Sequence, residues 1–305
     1  MDKIQMELFE QLTGLHEIPQ GAYNIRANSK KDSRNTTENI NIVTKEDKDG
    51  IDIYVKPGTK NESVHIPVVI SKTGLEECVY NDFHIGEGAD VLIVAGCGIH
   101  NDGDEESRHD GIHAFHVGSH ANVRYEERHY GEGKGTGGRV LNPVTKIDVE
   151  EDSVFTLDTT QIKGVDSTIR ETHVEMGAGS KLYVMEKLMT HGNQQAISNM
   201  DVQLNGEESS AQIISRSVAK DTSTQVFHPK AIGNALCHAH VQCDSIIMDD
   251  AKISSIPEIN ANHVDAQIIH EAAIGRINND QLIKLRTFGM TGEEAEAVII
   301  EDFLK

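Results

Sequence analysis

Aromatic and basic residues are scarce in this sequence. Phe, Tyr and Trp make up 4% of its 305 residues, and Trp is absent. The chain has only 28 Lys+Arg but 49 Asp+Glu, which gives a formal net charge of −21 with the histidines neutral. Such a charge repels phosphate backbones and anionic lipid headgroups, and few aromatic rings are present on which bases could stack. The composition therefore argues against binding to nucleic acid or to membrane surfaces.

Long apolar runs and abundant cysteine are also missing. No stretch approaches the ~18 apolar residues of a membrane span, and the start, Met-Asp-Lys-Ile-Gln-Met, lacks the apolar core of a signal peptide. We therefore expect a cytoplasmic protein. Four cysteines are too few for a disulfide scaffold in a chain of this length, so we expect free thiols. They are Cys78, Cys97, Cys237 and Cys243.

Short alternating apolar runs recur from about residue 50 to residue 260, for example Ile51–Val55 and Leu182–Met185. Period-two spacing of Val, Ile and Thr predicts strands. A break from an apolar residue into Gly or acidic and then small polar residues occurs six times, at intervals of 32, 32, 27, 28 and 44 residues: Ile85, Val117, Val149, Met176, Leu204 and Met248. Repeats of about 30 residues predict a mainly β solenoid, with a sandwich or jelly roll as the alternative.

The two ends of the chain have helical patterns. Residues 3–15 carry apolar residues at helical spacing, whereas residues 28–50 are polar and predict a loop with one short strand. Residues 278–288 begin with an Asn cap, and Thr291 opens a capping box before a second apolar run, so two C-terminal helices are predicted. We divide the chain into an N-terminal helix with a polar lead-in, a β-helix core and a C-terminal helical domain: residues 1–50, 51–262 and 263–305.

Histidine is unusually frequent, with 16 residues. Six lie close together in the chain: His100, His109, His113, His116, His120 and His129. In a helix, four of them would form one stripe suited to a metal ion. In a strand, His109 and His113 share one face and the next two share the other. Because Gly111 interrupts the segment, we favour strands and structural histidines; a metal-dependent β-solenoid enzyme using His100–His129 is the alternative.

A second cluster combines thiols, imidazoles and a carboxylate: His228, Cys237, His238, His240, Cys243, His263, His270 and Glu271. Such ligands suit zinc, iron or iron–sulfur chemistry. Neither a Cys-x-x-Cys pair nor a His-Glu-x-x-His motif is present, so the set favours a transiently held metal over a closed zinc site. The glycine-rich residues 131–138 lack the Lys-Ser/Thr ending of a phosphate loop, so we do not expect the chain to hydrolyse ATP.

Several segments resemble the SufB/SufD family. The signature near the C terminus consists of Val241-Gln-Cys-Asp-Ser245, Ile256-Pro-Glu258, Ile269-His-Glu-Ala-Ala-Ile-Gly-Arg-Ile277, Asp280-Gln-Leu282 and Glu293-Glu-Ala-Glu296. Upstream, SRHDGIHAFHVG, EERHYGEG, QIKGVDST and ISRSVAKD look like the short members of the family. The resemblance covers nearly the whole chain from about residue 60.

This resemblance implies a scaffold for building iron–sulfur clusters, which would be held transiently. It implies a right-handed parallel β-helix followed by a helical C-terminal domain. Family members pair through the β-helix, and the helical end docks a SufC-type ABC ATPase, so ATP hydrolysis is expected in that partner and not in this chain. A sulfur donor and apo-protein recipients are further implied partners, and a role for reduced flavin stays open. An adaptor that docks the ATPase but holds no cluster is an alternative.

The resemblance also implies site residues. Cys243 matches the family's essential cysteine, whose thiolate could accept sulfur as a persulfide and bind iron, and His270 and Glu271 match the His-Glu-Ala motif. Since one chain carries all three, we expect a homodimer with the cluster at its two-fold interface. The sequence lacks the extra cysteine-containing N-terminal portion of longer SufB proteins, and Ile269 stands where some members have a carboxylate. The roles of four other potential ligands stay open: Cys97, His100, Cys237 and His240.

Overall fold

The computed structural model describes all residues from Met1 to Lys305. Each turn of the chain contributes a strand to each of two sheets, which together make a parallel β-solenoid of about eight turns. Strands account for 57% of the residues and helices for 10%. The prediction of a mainly β solenoid is therefore confirmed, and the sandwich and jelly-roll alternatives are not.

Ten strands form the first sheet, called sheet A: β1 (Ala22–Ala27), β2 (Lys30–Asn35), β5 (Glu62–Ile70), β7 (Asp90–His100), β9 (Asn122–Glu132), β12 (Val154–Lys163), β14 (Lys181–Thr190), β16 (Ser209–Ala219), β18 (Cys237–Ile247) and β21 (Gln267–Gly275). Eleven form the opposite sheet, called sheet B: β3 (Ile40–Thr44), β4 (Gly50–Val55), β6 (Glu76–Ile85), β8 (Ser107–Val117), β10 (Arg139–Leu141), β11 (Val144–Val149), β13 (Ser167–Met176), β15 (Gln195–Leu204), β17 (Thr224–Gly233), β19 (Lys252–Ser255) and β20 (Glu258–Ala261). Only the pairs β1–β2 and β3–β4 are antiparallel.

The predicted repeat residues stack on one another in sheet B. Five of them end successive turns and are paired in register: Ile85, Val117, Val149, Met176 and Leu204. The next residue of this column is Gly233, directly beside Leu204. Met248 follows β18 in sheet A instead, about one and a half turns further along the chain. Its 44-residue interval therefore joins two different columns.

A tight backbone turn follows each sheet B strand in the middle of the solenoid, and each of these tight turns contains a residue with positive φ: Gly88, His120, Asp152, Gly179 and Glu208. Their amides donate to the next turn, as Gly88 N does to Ser119 O at 2.9 Å and His120 N to Glu151 O at 3.0 Å. A non-glycine residue seldom adopts this conformation unless neighbouring contacts hold it there. His120 is thus part of the turn ladder rather than of a strand.

The prediction of one short strand in residues 28–50 was wrong, because β2 and β3 both lie there. Their pairing is antiparallel and each adds to the edge of a sheet. Strand β2 buries no residue, and β3 buries only Ile40 and Ile42. Edge strands with so little buried surface have no clear apolar alternation, so the sequence pattern did not predict both of them.

The three helices pack on the outside of the solenoid. Helix α1 (Lys3–Thr13) buries Leu8 and Leu12 against sheet A, where Gly98 leaves room for their side chains. Helices α2 (Asn279–Thr287) and α3 (Gly292–Phe303) follow the last turn. The predicted capping box at Thr291 is present, and Ile300 of α3 packs near the end of sheet A, whereas α2 buries no residue. All three predicted helices are confirmed.

Charged side chains occupy the middle of the solenoid. Along the inner face of sheet A, one column contains Glu127, Thr159, Glu186, Ser215 and Cys243 in register. Arg170 reaches across from sheet B, donates a hydrogen bond to Glu127 and places its Nε 3.8 Å from Glu186. Burial alone would raise the pKa of the Glu127 carboxyl, but the charge of Arg170 lowers it to about 2. One buried cation therefore holds two carboxylates together.

Replacing Arg170 by Met should destabilise the fold strongly, because Glu127 and Glu186 would stay buried without their cation. We expect a loss of about 3–5 kcal/mol in the free energy of unfolding, measured by urea denaturation. The matched control is Arg124→Met, which removes an exposed pair with Glu126 (2.8 Å) and should cost at most about 1 kcal/mol. Equal losses in the two variants would contradict this account.

Candidate functional site

Cys243 and His270 meet at the last turn of the solenoid. Cys243 lies on the inward face of β18 and its residue is only 2% exposed. His270 lies on the neighbouring strand β21, and its Nε2 is 3.4 Å from Cys243 Sγ. The parallel pairing of the two strands positions this contact, because it sets the inward residues of β21 beside those of β18. Two of the three predicted site residues are therefore in contact.

Both groups of this pair are held in their neutral forms. Burial raises the pKa of the Cys243 thiol; the Ser255 hydroxyl opposes that shift, and the charges of Glu186 and Asp244 add to it. Burial also lowers the pKa of the His270 imidazole, and His240 lowers it further. A neutral imidazole 3.4 Å from a thiol can accept its proton when a metal ion or an electrophilic sulfur atom takes the sulfur lone pair. In this pair Cys243 can act as the ligand, and His270 can act as the base that removes the thiol proton.

Glu271 does not join this pair. It follows His270 directly in β21, so its side chain lies on the opposite, outer face of sheet A. There its Oε2 is 3.6 Å from Nε2 of His240. Within one chain, no three His, Cys, Asp or Glu side chains lie close enough together to hold a metal ion as they stand. Sequence reasoning grouped Cys243, His270 and Glu271 by motif and missed this division.

The remaining members of the C-terminal cluster are dispersed. His228 lies on the outer face of sheet B, where Nδ1 is 2.8 Å from the Asn199 side chain. Cys237 is fully buried in the core, His238 is exposed, and His263 lies beside Asp265. All four cysteines are free. The loose ligand set suggested by the sequence is therefore two separate pairs and several unconnected residues.

The histidines between residues 100 and 129 do not converge on one surface either. Strand alternation predicted that His109 and His113 share one face, and both point into the solenoid, as does His129. His116 lies on the opposite face and is exposed. His100 lies between Asp102 and Glu132, at 2.9 and 3.0 Å. The void beside the three inner residues has about 10 Å³, space for one water molecule and not for a substrate.

The inner histidines belong to a buried polar network. His109 Nδ1 is 3.0 Å from Glu77 Oε1, and His113 Nδ1 is 2.5 Å from the Tyr125 hydroxyl, which donates to Glu127 at 3.0 Å. Burial lowers the pKa of His113 to about 4 and that of His129 to about 4 as well. The charged members of this network, Glu77, Glu127 and Arg170, lie on strands other than that of His109 and His113, so alternation along the histidine-rich segment could not identify them.

The family described as SUF system FeS cluster assembly, SufBD core domain, matches residues 76–303. The chain belongs to the SufBD family. The matched region includes β18 and β21 with the Cys243–His270 pair, and also helices α2 and α3. The resemblance seen in the sequence is confirmed, and this SufBD family protein is an iron–sulfur cluster assembly protein.

Curated relatives agree with this assignment. The chain is 26% identical over 257 residues to an iron–sulfur cluster assembly SufBD family protein of Methanocaldococcus jannaschii, covering 83% of this chain and 79% of that one. It is 28% identical over 271 residues to one of Archaeoglobus fulgidus, covering 85% and 69%. A third, from Methanothermobacter thermautotrophicus, is 25% identical over 264 residues, covering 84% and 62%.

None of the three helices is long and apolar enough to cross a membrane.

The buried histidines should make stability depend on pH. Because the pKa values of His113 and His129 are about 4 in the folded protein, the unfolded chain binds a proton at each histidine first, near its ordinary pKa of ~6.5. Above pH ~6.5 the two histidines should therefore not lower the free energy of unfolding. As the pH drops from ~6.5 towards 4, that free energy should fall by about 1.4 kcal/mol per pH unit for each histidine. The measurement is the free energy of unfolding in urea at several pH values.

His113→Gln should reduce that slope, and His116→Gln, on the exposed face of the same strand, should leave it unchanged. A slope that is the same in all three proteins would show that the buried imidazoles do not cause it.

Proposed function

We propose that this SufBD family protein is a scaffold on which a nascent iron–sulfur cluster is built, with Cys243 as the first ligand. The contact of 3.4 Å between Cys243 and His270 carries this proposal. The thiol supplies a soft ligand for iron or an acceptor for sulfur, and the imidazole takes the thiol proton. Two protein ligands leave most coordination positions open, as a cluster that must later be passed on requires.

The end of the solenoid supports pairing with a second copy of the chain. Strand β21 is the last strand of sheet A, so one of its edges has no neighbour within the chain. Ile269 is 57% exposed there, and Ile274 is also exposed. A free edge with apolar side chains readily pairs with another strand, and a two-fold axis would set two β21 strands side by side. This arrangement makes the protein a homodimer through its β-helix.

The homodimer also gives Glu271 a role. Within one chain, sheet A separates its carboxylate from Cys243, because the two side chains lie on opposite faces. In a pair of chains whose two-fold axis runs along β21, the outer face of one copy's strand lies on the same side as the inner face of the other's, so Glu271 of one copy can approach the Cys243–His270 pair of its partner. The cluster would then lie at the two-fold interface, with soft ligands from one copy and a hard oxygen ligand from its partner.

The C-terminal helices support docking of an ABC ATPase of the SufC type. Helices α2 and α3 border an apolar groove of about 600 Å³ in which Leu285, Phe288 and Val298 take part. Phe288 is 73% exposed, and α2 buries none of its residues. An apolar helix pair left open to this extent is typical of a protein interface. The ATPase would hydrolyse ATP, since the chain has no phosphate loop.

Cluster assembly should depend on Cys243. Anaerobic incubation of the purified protein with iron(III), sulfide and a thiol reductant should give a visible iron–sulfur absorption, and Cys243→Ala should reduce its yield at least ten-fold because the soft ligand is lost. Cys78→Ala is the control, since that thiol is exposed and distant. An unchanged yield in Cys243→Ala would overturn the ligand assignment. No iron binding by the unsubstituted protein, together with co-purification of the ATPase, would support the adaptor alternative.

ATPase docking should depend on α3. Val298→Asp places a charge in the groove and should abolish co-purification of a co-expressed ABC ATPase without lowering the melting temperature by more than a few degrees. The matched control is Val43→Asp on β3, because both valines are 43% exposed. If both variants retain the ATPase equally, the groove is not the docking surface.

A further inference from the structure

A small void lies inside the solenoid beside Cys243. It has about 10 Å³, and Cys243 lines it together with polar side chains from both sheets, among them Glu186, Ser215, Gln225 and Ser255. Ser215 is the in-register neighbour of Cys243 on β16. Ser255 lies on β19 of the opposite sheet, close enough to oppose the effect of burial on the pKa of the Cys243 thiol. A space of this size holds one water molecule or one atom of similar size.

Most polar groups around the void already have partners. The Glu186 carboxylate accepts hydrogen bonds from Ser215 at 3.1 Å and from Ser198 at 2.7 Å. The hydroxyls of Ser217 and Ser245 bond to each other at 2.8 Å. These groups are therefore satisfied without any occupant of the void.

Two buried polar atoms that belong to residues lining the void have no partner. The Ser255 hydroxyl is a donor without an acceptor, and Oε1 of Gln225 is an acceptor without a donor. Gln225 is only 3% exposed, and its Nε2 already donates to Thr190 at 2.9 Å and to the carbonyl of Val218 at 2.8 Å. Because unpaired buried polar groups cost free energy, the void suits a group that accepts one hydrogen bond and donates another.

We propose that this void holds the outer sulfur atom of a persulfide on Cys243, an inference that rests on the proposed role of this thiol as a sulfur acceptor. In its S–H form the outer sulfur accepts from Ser255 and donates to Oε1 of Gln225, so it satisfies both groups. An S–S bond of about 2.05 Å keeps it next to Sγ, where the void lies. The charge of Glu186 favours this neutral form over the anion.

The sulfur comes from a donor with a terminal S–SH group. His270 takes the thiol proton, Sγ of Cys243 forms a bond to the terminal sulfur of the donor, and the S–S bond of the donor breaks. The shortened donor leaves with the bonding electrons and receives the proton from His270, so no external oxidant is needed. Ala272 pairs directly with Cys243 on β21 and is exposed, so the donor can approach the thiol from the end of the solenoid.

Inorganic polysulfide is the probe. The full chain is treated with it anaerobically, desalted and challenged with dithiothreitol, and iodoacetamide then traps the surviving persulfide for mass spectrometry of the Cys243 peptide. We expect one additional sulfur atom at Cys243. Ser255→Ala should shorten the half-life of this persulfide about five-fold, because one hydrogen bond to the outer sulfur is lost. Ser254→Ala is the matched control, since that side chain is exposed on the same strand.

A second substitution separates space from hydrogen bonding. Ser255→Thr keeps the hydroxyl but adds a methyl group beside the void, so it should lower the yield of the persulfide about five-fold. Circular dichroism checks that each variant is folded. If Ser255→Ala and Ser255→Thr both behave as Ser254→Ala does, the void holds only water. No additional sulfur at Cys243 in the unsubstituted protein would equally overturn the inference.

These outcomes are separable from those for the cluster ligand. Reconstitution with inorganic sulfide needs no persulfide, so a cluster that depends on Cys243 without a persulfide there contradicts only this inference. An unchanged cluster yield in Cys243→Ala contradicts the proposed function instead, whether or not the persulfide forms.

Discussion

In-register stacking of successive turns is the constraint on which the structure depends. Each strand is held by backbone hydrogen bonds to the turns before and after it, so residues about 27–32 positions apart become neighbours. Because strand side chains alternate between the two faces, a shift of one residue would turn every inward side chain outward. The register therefore decides both which side chains form the core and which functional groups can meet.

That constraint explains what the sequence could predict. The column from Ile85 to Leu204 was visible as a repeat because its apolar residues end successive turns. The N-terminal helix and the capping box at Thr291 were visible because they depend on local spacing alone. The edge strand β2 was not, since a strand that buries nothing has no apolar alternation. Met248 was assigned to the wrong column, because an interval does not show which sheet its residue belongs to.

The site was only partly predictable, for a related reason. The motif located Cys243, His270 and Glu271, yet consecutive residues of a strand face opposite sides, so His270 and Glu271 cannot both point inward. Contacts between sheets are harder still. The pairing of Arg170 with Glu127 joins residues 43 positions apart across the interior, and nothing in the local pattern specifies it. Such contacts follow from the number of turns between the residues, which only the structure supplies.

The division of the proposed ligands between the two faces of sheet A leads to the central proposal, that a complete cluster site needs two copies of the chain. Mixed dimers test it most directly. Two differently tagged copies, one carrying Cys243→Ala and the other Glu271→Gln, are co-expressed, and the mixed dimer is purified by both tags and reconstituted anaerobically. If the ligands come from different copies, one of the two sites is intact and the mixed dimer should form about half the cluster of the unsubstituted protein, whereas each variant alone should form little. A mixed dimer as inactive as its parents would show that the ligands act within one chain and contradict the account.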